Sequence, residues 1–112
     1  MTLYRHNAET IETTVVDFGF VDQKGRKVGY RCIFQKITMT ALPADARSGY
    51  CLRDGLNPEH FQVTTSPTRN GEGYGPAFNR FAANTLEECK AVAAKRTEAA
   101  RKSNLKKFGG AQ

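Results

Sequence analysis

The stretch from Thr85 to Phe108 constrains the fold more than any other part of the chain. Thr85-Leu86-Glu87-Glu88 has the spacing of a capping box, in which the Thr hydroxyl accepts from an amide three residues on and Glu88 reaches back. The residues that follow are mostly Ala, Lys, Arg, Glu and Leu, the strong helix formers, and Gly109 and Gly110 stop them. The pattern predicts a basic C-terminal helix over 85–108, and the part from Leu86 to Lys107 would be ~33 Å long. On a helical wheel Leu86, Cys89, Val92, Ala93, Thr97 and Ala100 gather on one side. Lys95, Lys102 and Lys106 lie opposite, with Lys90 and Arg101 on one flank. An apolar side made of such small residues can approach a sheet closely, so the helix calls for a β-layer to rest on.

Two hairpins supply that layer. Ile11–Val21 is rich in β-branched and aromatic residues and reads as a strand, with Val16, Phe18 and Phe20 on one parity. Residues 1–10 read as a polar lead-in. Asp22-Gln23-Lys24-Gly25 reads as a turn, because Asp bonds the backbone ahead and Gly takes the left-handed conformation. A second strand runs from about Arg26 to Thr40, with Val28, Tyr30, Cys32 and Phe34 on one face. Residues 41–59 hold prolines, glycines and several Asp, Asn and Ser, and read as a long loop with room for one helical turn at Pro43–Arg47. His60–Thr65 opens a second hairpin, Asn70-Gly71 turns it, and Glu72–Ala82 returns. Pro67 and Pro76 lack the ladder donor, which puts this hairpin at a sheet edge or gives it bulges. The expected fold is α+β, a single domain over 1–112. It has an antiparallel sheet of about four strands in two hairpins, one long helix packed on one face, and a short tail at 109–112.

Charge is the feature that points to function. Lys plus Arg is 17 and Asp plus Glu is 11, a net of +6. Before Lys90 the basic and acidic residues balance at ten each; from Lys90 onward seven basic residues face Glu98 alone. The whole excess therefore sits on the predicted helix, where it creates a positive potential that attracts phosphate backbones or acidic surfaces. Solvated helix faces and C-terminal dipole compensation also recruit Lys and Arg, but six net charges exceed what capping needs.

Other chemistry finds little support. Gly71-Glu72-Gly73-Tyr74-Gly75 lacks the Lys-Ser/Thr and the following helix of a phosphate-binding loop, and glycines relaxing a twisted hairpin account for it. Cys32 and Cys89 occupy apolar positions of small core residues, whereas Cys51 lies in the long loop nine residues before His60 without a specified base. His6 and His60 are too few and too separated for a metal pattern, and Glu87-Glu88 belongs to the cap. No enzyme activity, metal or cofactor is expected. Three cysteines without a C-x-x-C pair argue against a disulfide scaffold and a zinc site, so the expected setting is a reducing cytoplasm. No apolar run approaches the ~20 residues of a membrane span, and the first residues lack the apolar stretch of a secretion signal.

The expectation that follows is a small non-enzymatic domain that binds DNA or RNA. Lys95, Arg101, Lys102, Lys106 and Lys107 would meet phosphates, with Lys90, Arg69 and Arg80 adding to the contact. Phe81-x-x-x-Thr85-Leu86-Glu87-Glu88-Cys89 resembles the strand-to-helix junction of plant ethylene-response-factor and WGR domains. Capping alone generates that pattern and the chain has no Trp, so no residue role follows from it. The rival is a protein-binding accessory or inhibitor module of the kind mobile elements encode, docking on an acidic surface of a nucleic-acid-processing complex. Its anchor would be Tyr50, Leu52 and Leu56 of the long loop, rimmed by Arg47 and Arg53. The blander account has those loop residues fold back to cap the sheet.

Overall fold

Two tight turns organise the sheet, and both follow from the residues that make them. The computed structural model describes residues 1–75 and 78–109. Asp22 Oδ1 accepts from the amides of Lys24 and Arg26 at 2.9 and 3.0 Å, and Gly25 takes φ +76°. This joins β1 (Tyr4–Val21) to β2 (Lys27–Ala41). At the second turn Asn70 and Gly71 have φ +55° and +83°, the primed geometry whose twist matches the flanking strands. It joins β3 (Glu59–Arg69) to β4 (Glu72–Gly73). The Asn70 side chain also accepts from the Lys27 amide at 2.9 Å, tying the two turns together at one end of the molecule.

β1 pairs with β2, β2 with β3, and β3 with both β4 and β5 (Asn79–Ala83), all antiparallel. The sheet thus has five strands, because the expected return over Glu72–Ala82 divides in two. Pro67 accounts for the break. Its carbonyl accepts from Tyr74, so its ring nitrogen, with no hydrogen to give, faces the side on which the chain leaves the ladder. Pro76 lies outside the described residues, as do Gly110 and the end of the tail.

The polar lead-in is corrected: β1 begins at Tyr4 and runs as one strand to Val21. Tyr4–Thr10 pairs with Gln35–Ala41, and Tyr4 exchanges two 2.9 Å hydrogen bonds with Tyr50. Backbone pairing there satisfies peptide groups whatever the side chains, so polarity hid the strand. Two register shifts interrupt β1, leaving Ile11 as an extra residue and loosening Asp17–Val21. Val16, Phe18 and Phe20 still share the helix-side face: Val16 pairs with the core residue Tyr30, and Phe20 lies near Gly109 of the C-terminal turn. Phe18 packs on the core, with its ring centroid 6.1 Å from that of Phe20.

The helix forms as expected. α1 (Leu86–Asn104) lies on one face of the sheet, against β2, β3 and β5. The Thr85 hydroxyl accepts from the Glu88 amide at 3.3 Å. The chain then closes in a π-helical turn, Leu105–Gly109. Tyr30, Cys32, Phe34, Val63 and Ala83 of the sheet bury against Cys89 and Ala93, with Phe61, Phe81, Leu86 and Ala100 around them. Small side chains on α1 allow this close approach, and burial pushes the Cys89 thiol up.

The far end of the sheet buries its other face. Ile37 sits opposite His60 in the β2–β3 register, one residue out of phase with Phe34 and Val63, and Ile37, Met39 and His60 are all buried. The loop between β2 and β3 is tied down there. The Met39 amide donates to Pro58 O at 2.7 Å, and Asn84 receives the Asn57 amide and donates to Gly55 O. Pro43–Ala46 closes as a β-turn rather than a helical turn.

Candidate nucleic-acid interface

α1 runs from the loop end of the sheet back to the turn end, and this path sorts its cations into three groups. Lys95, Lys102 and Lys106 are exposed on the side away from the sheet, and none has a carboxylate partner among the described residues. At 1.5 Å per residue they are spaced by about 10 Å and about 6 Å along the axis. On the flank toward β1 the charges are answered. Lys90 Nζ lies 3.4 Å from Glu12, and Arg101 makes a two-point contact with Glu98, Nε to Oε2 at 3.0 Å. That contact lowers the Glu98 carboxyl and raises Arg101, each through the hydrogen bond first. Arg96 turns inward, donating to Thr65 at 3.4 Å.

The remaining predicted residues separate. Arg80 pairs in register with Thr64, which alternates with the core-facing Val63, so Arg80 lies on the sheet face opposite the helix and cannot join its lysines. Arg69 sits at the turn end. Its Nε is 3.1 Å from Asp22 Oδ2, its Nη1 donates to Thr68 O at 3.0 Å, and its guanidinium lies 4.4 Å from the Tyr74 ring centroid. Lys107 reaches the same end, 5.4 Å from the ring of Phe108.

This turn-end cluster is the part that linear reading missed. Asp22, 4% exposed in its side chain, receives Nε–H from Arg26 at 2.8 Å and from Arg69 on the same oxygen. Burial alone would raise its carboxyl. The amides of Arg26 and Lys24, then the two guanidiniums, outweigh that and hold it down at about 2. Arg26 packs over Tyr74 at 4.9 Å, and Lys24, Lys107 and Phe108 complete a groove of about 290 Å³. The signal available in the sequence was Arg26 and Lys27 beside a turn; the convergence with Arg69 and Lys107 needs sheet register and helix direction together.

The loop residues of the rival reading divide as well. Arg47 and Arg53 are exposed, Leu52 and Leu56 half-buried. Tyr50 is 59% exposed, yet its backbone is paired with Tyr4 and its ring stands 5.1 Å from that of His6. Among the described residues no group of three His, Cys, Asp or Glu is placed to hold a metal ion, and no helix is long and apolar enough to cross a membrane. No family model, curated protein or solved structure matches the chain.

Proposed function

We propose that this is a nucleic-acid-binding domain that grips the phosphate backbone through the outward face of α1 and the turn-end cations. The observation that carries the reading is the row Lys95, Lys102 and Lys106, exposed and without a salt-bridge partner among the described residues (Lys102 only shares the field of Glu98, already bound to Arg101), leading to Lys107 at the turn end. Contacts of this kind confer affinity without sequence reading, since every phosphate presents the same oxygens. Arg101 and Lys90 contribute less than the raw charge count implies, because Glu98 and Glu12 already compensate them.

The test is a mobility-shift series on mixed DNA and RNA with Lys102→Glu/Lys106→Glu/Lys107→Glu. Retention at low salt is expected to be abolished, and unchanged binding would eliminate the reading. Docking on an acidic protein surface has weaker support. Its proposed anchor residues Leu52 and Leu56 are half-buried in the chain's own fold, and Tyr50 is backbone-paired to β1.

A further inference from the structure

The turn-end groove differs from the helix face in being built rather than merely charged. Lysines on a helix are flexible point charges. Here two guanidiniums are fixed in orientation by one buried carboxylate and one aromatic ring. Asp22 engages both through Nε alone, so neither arginine commits its forked Nη end to that carboxylate. Arg69 gives Nη1 to Thr68 O, and its Nη2 has no hydrogen-bond partner among the described residues. Lys24 and Lys107 line the same groove, making four cations against Asp22. The helix C-terminus adds a partial negative charge nearby, which Lys106 and Lys107 offset.

Planar guanidiniums whose Nη ends are not spent on Asp22, as with Arg69 Nη2, suit a tetrahedral anion with several oxygens better than a single carboxylate. The excess of cations suits a dianion, and the neighbouring rings of Tyr74 and Phe108 offer apolar surface to whatever the anion is attached to. About 290 Å³ admits a phosphate and part of a nucleoside. We propose that this groove binds a phosphate monoester, the terminal phosphate of a nucleic-acid strand or of a free nucleotide, through Arg26, Arg69 and Lys107. The strand end as source rests on the nucleic-acid reading above; the groove itself does not.

The experiment compares 5′-phosphorylated and 5′-hydroxyl forms of one short single-stranded oligonucleotide by fluorescence anisotropy, with adenosine monophosphate against adenosine titrated separately. Wild-type protein should prefer the phosphorylated strand by about tenfold, the gain of one strong charge-assisted contact. The preference should shrink as pH falls through about 6, where the monoester takes up its second proton. Arg26→Gln and Lys107→Gln should each reduce the preference severalfold. Lys95→Gln, outside the groove, should weaken both strands and leave their ratio intact. Circular dichroism melts accompany every variant, and Lys107, exposed, keeps the test valid where Arg26→Gln loosens the turn.

Equal binding of the two strands overturns the groove and leaves the helix reading standing. So does a preference that survives both groove variants. Binding of adenosine monophosphate, but of neither strand, supports the groove with a free nucleotide as its source and refutes the helix reading. Absence of binding by strands and nucleotide alike refutes both.

Discussion

If the exposed lysines of the helix are phosphate contacts, their number is written in the salt dependence of binding. Lys95, Lys102, Lys106 and Lys107 are exposed without a carboxylate partner among the described residues. Each neutralised phosphate contributes about −0.9 to the slope of log K against log salt on duplex DNA, so the four together predict about −3.6. A fourfold rise in salt should then cost somewhat more than a hundredfold in affinity. Lys102→Gln should bring the slope to about −2.7 by removing one contact. Glu98→Gln/Arg101→Gln, which deletes an ion pair already closed within the helix, should leave the slope where it was. Fluorescence anisotropy across a salt series on one duplex reads all three proteins. The reasoning is refuted if Lys102→Gln leaves the slope unchanged, or if the double variant lowers it as much as Lys102→Gln does.

Three further predictions concern the scaffold. Asp22 is ionised in the fold down to about pH 2 and in the unfolded chain only above about 4, so between those values the unfolded state binds more protons. Stability should therefore be whole above pH 4 and fall as pH drops toward 2; urea titrations should show this, and Asp22→Asn should flatten the fall. Thr85→Ala removes the hydroxyl that accepts from the Glu88 amide and should cost about 1 kcal/mol by thermal melts, with the helix still formed. Ile37→Ala should cost about 2–5 kcal/mol in denaturant unfolding because the side chain is wholly buried, whereas the half-exposed Val15→Ala should change little.

Much of this fold is local, which is why the sequence shows it. The Asp22–Gly25 and Asn70–Gly71 turns need only side-chain acceptors and residues tolerant of positive φ. α1 needs only a cap and helix formers, and the small residues at Cys89 and Ala93 announce its buried side. Tyr4–Thr10 shows nothing locally, because its strand exists through the peptide groups of β2 and Tyr50. Alternation along β2 already sets Ile37 on the parity opposite Phe34; only the fold decides that this second face is the buried one at the far end of the strand.

The chain's own residues determined where its charge lies, which segment is helical and where the strands reverse, since each depends on neighbours a few positions apart. Tertiary structure decided which charges stay available. Glu12 meets Lys90 across 78 positions of sequence, Arg80 is carried to the wrong face of the sheet, and Arg26 and Arg69 meet on Asp22. Coulomb interactions depend on distance through space, and that distance is set by strand register and the direction of the helix rather than by position along the chain.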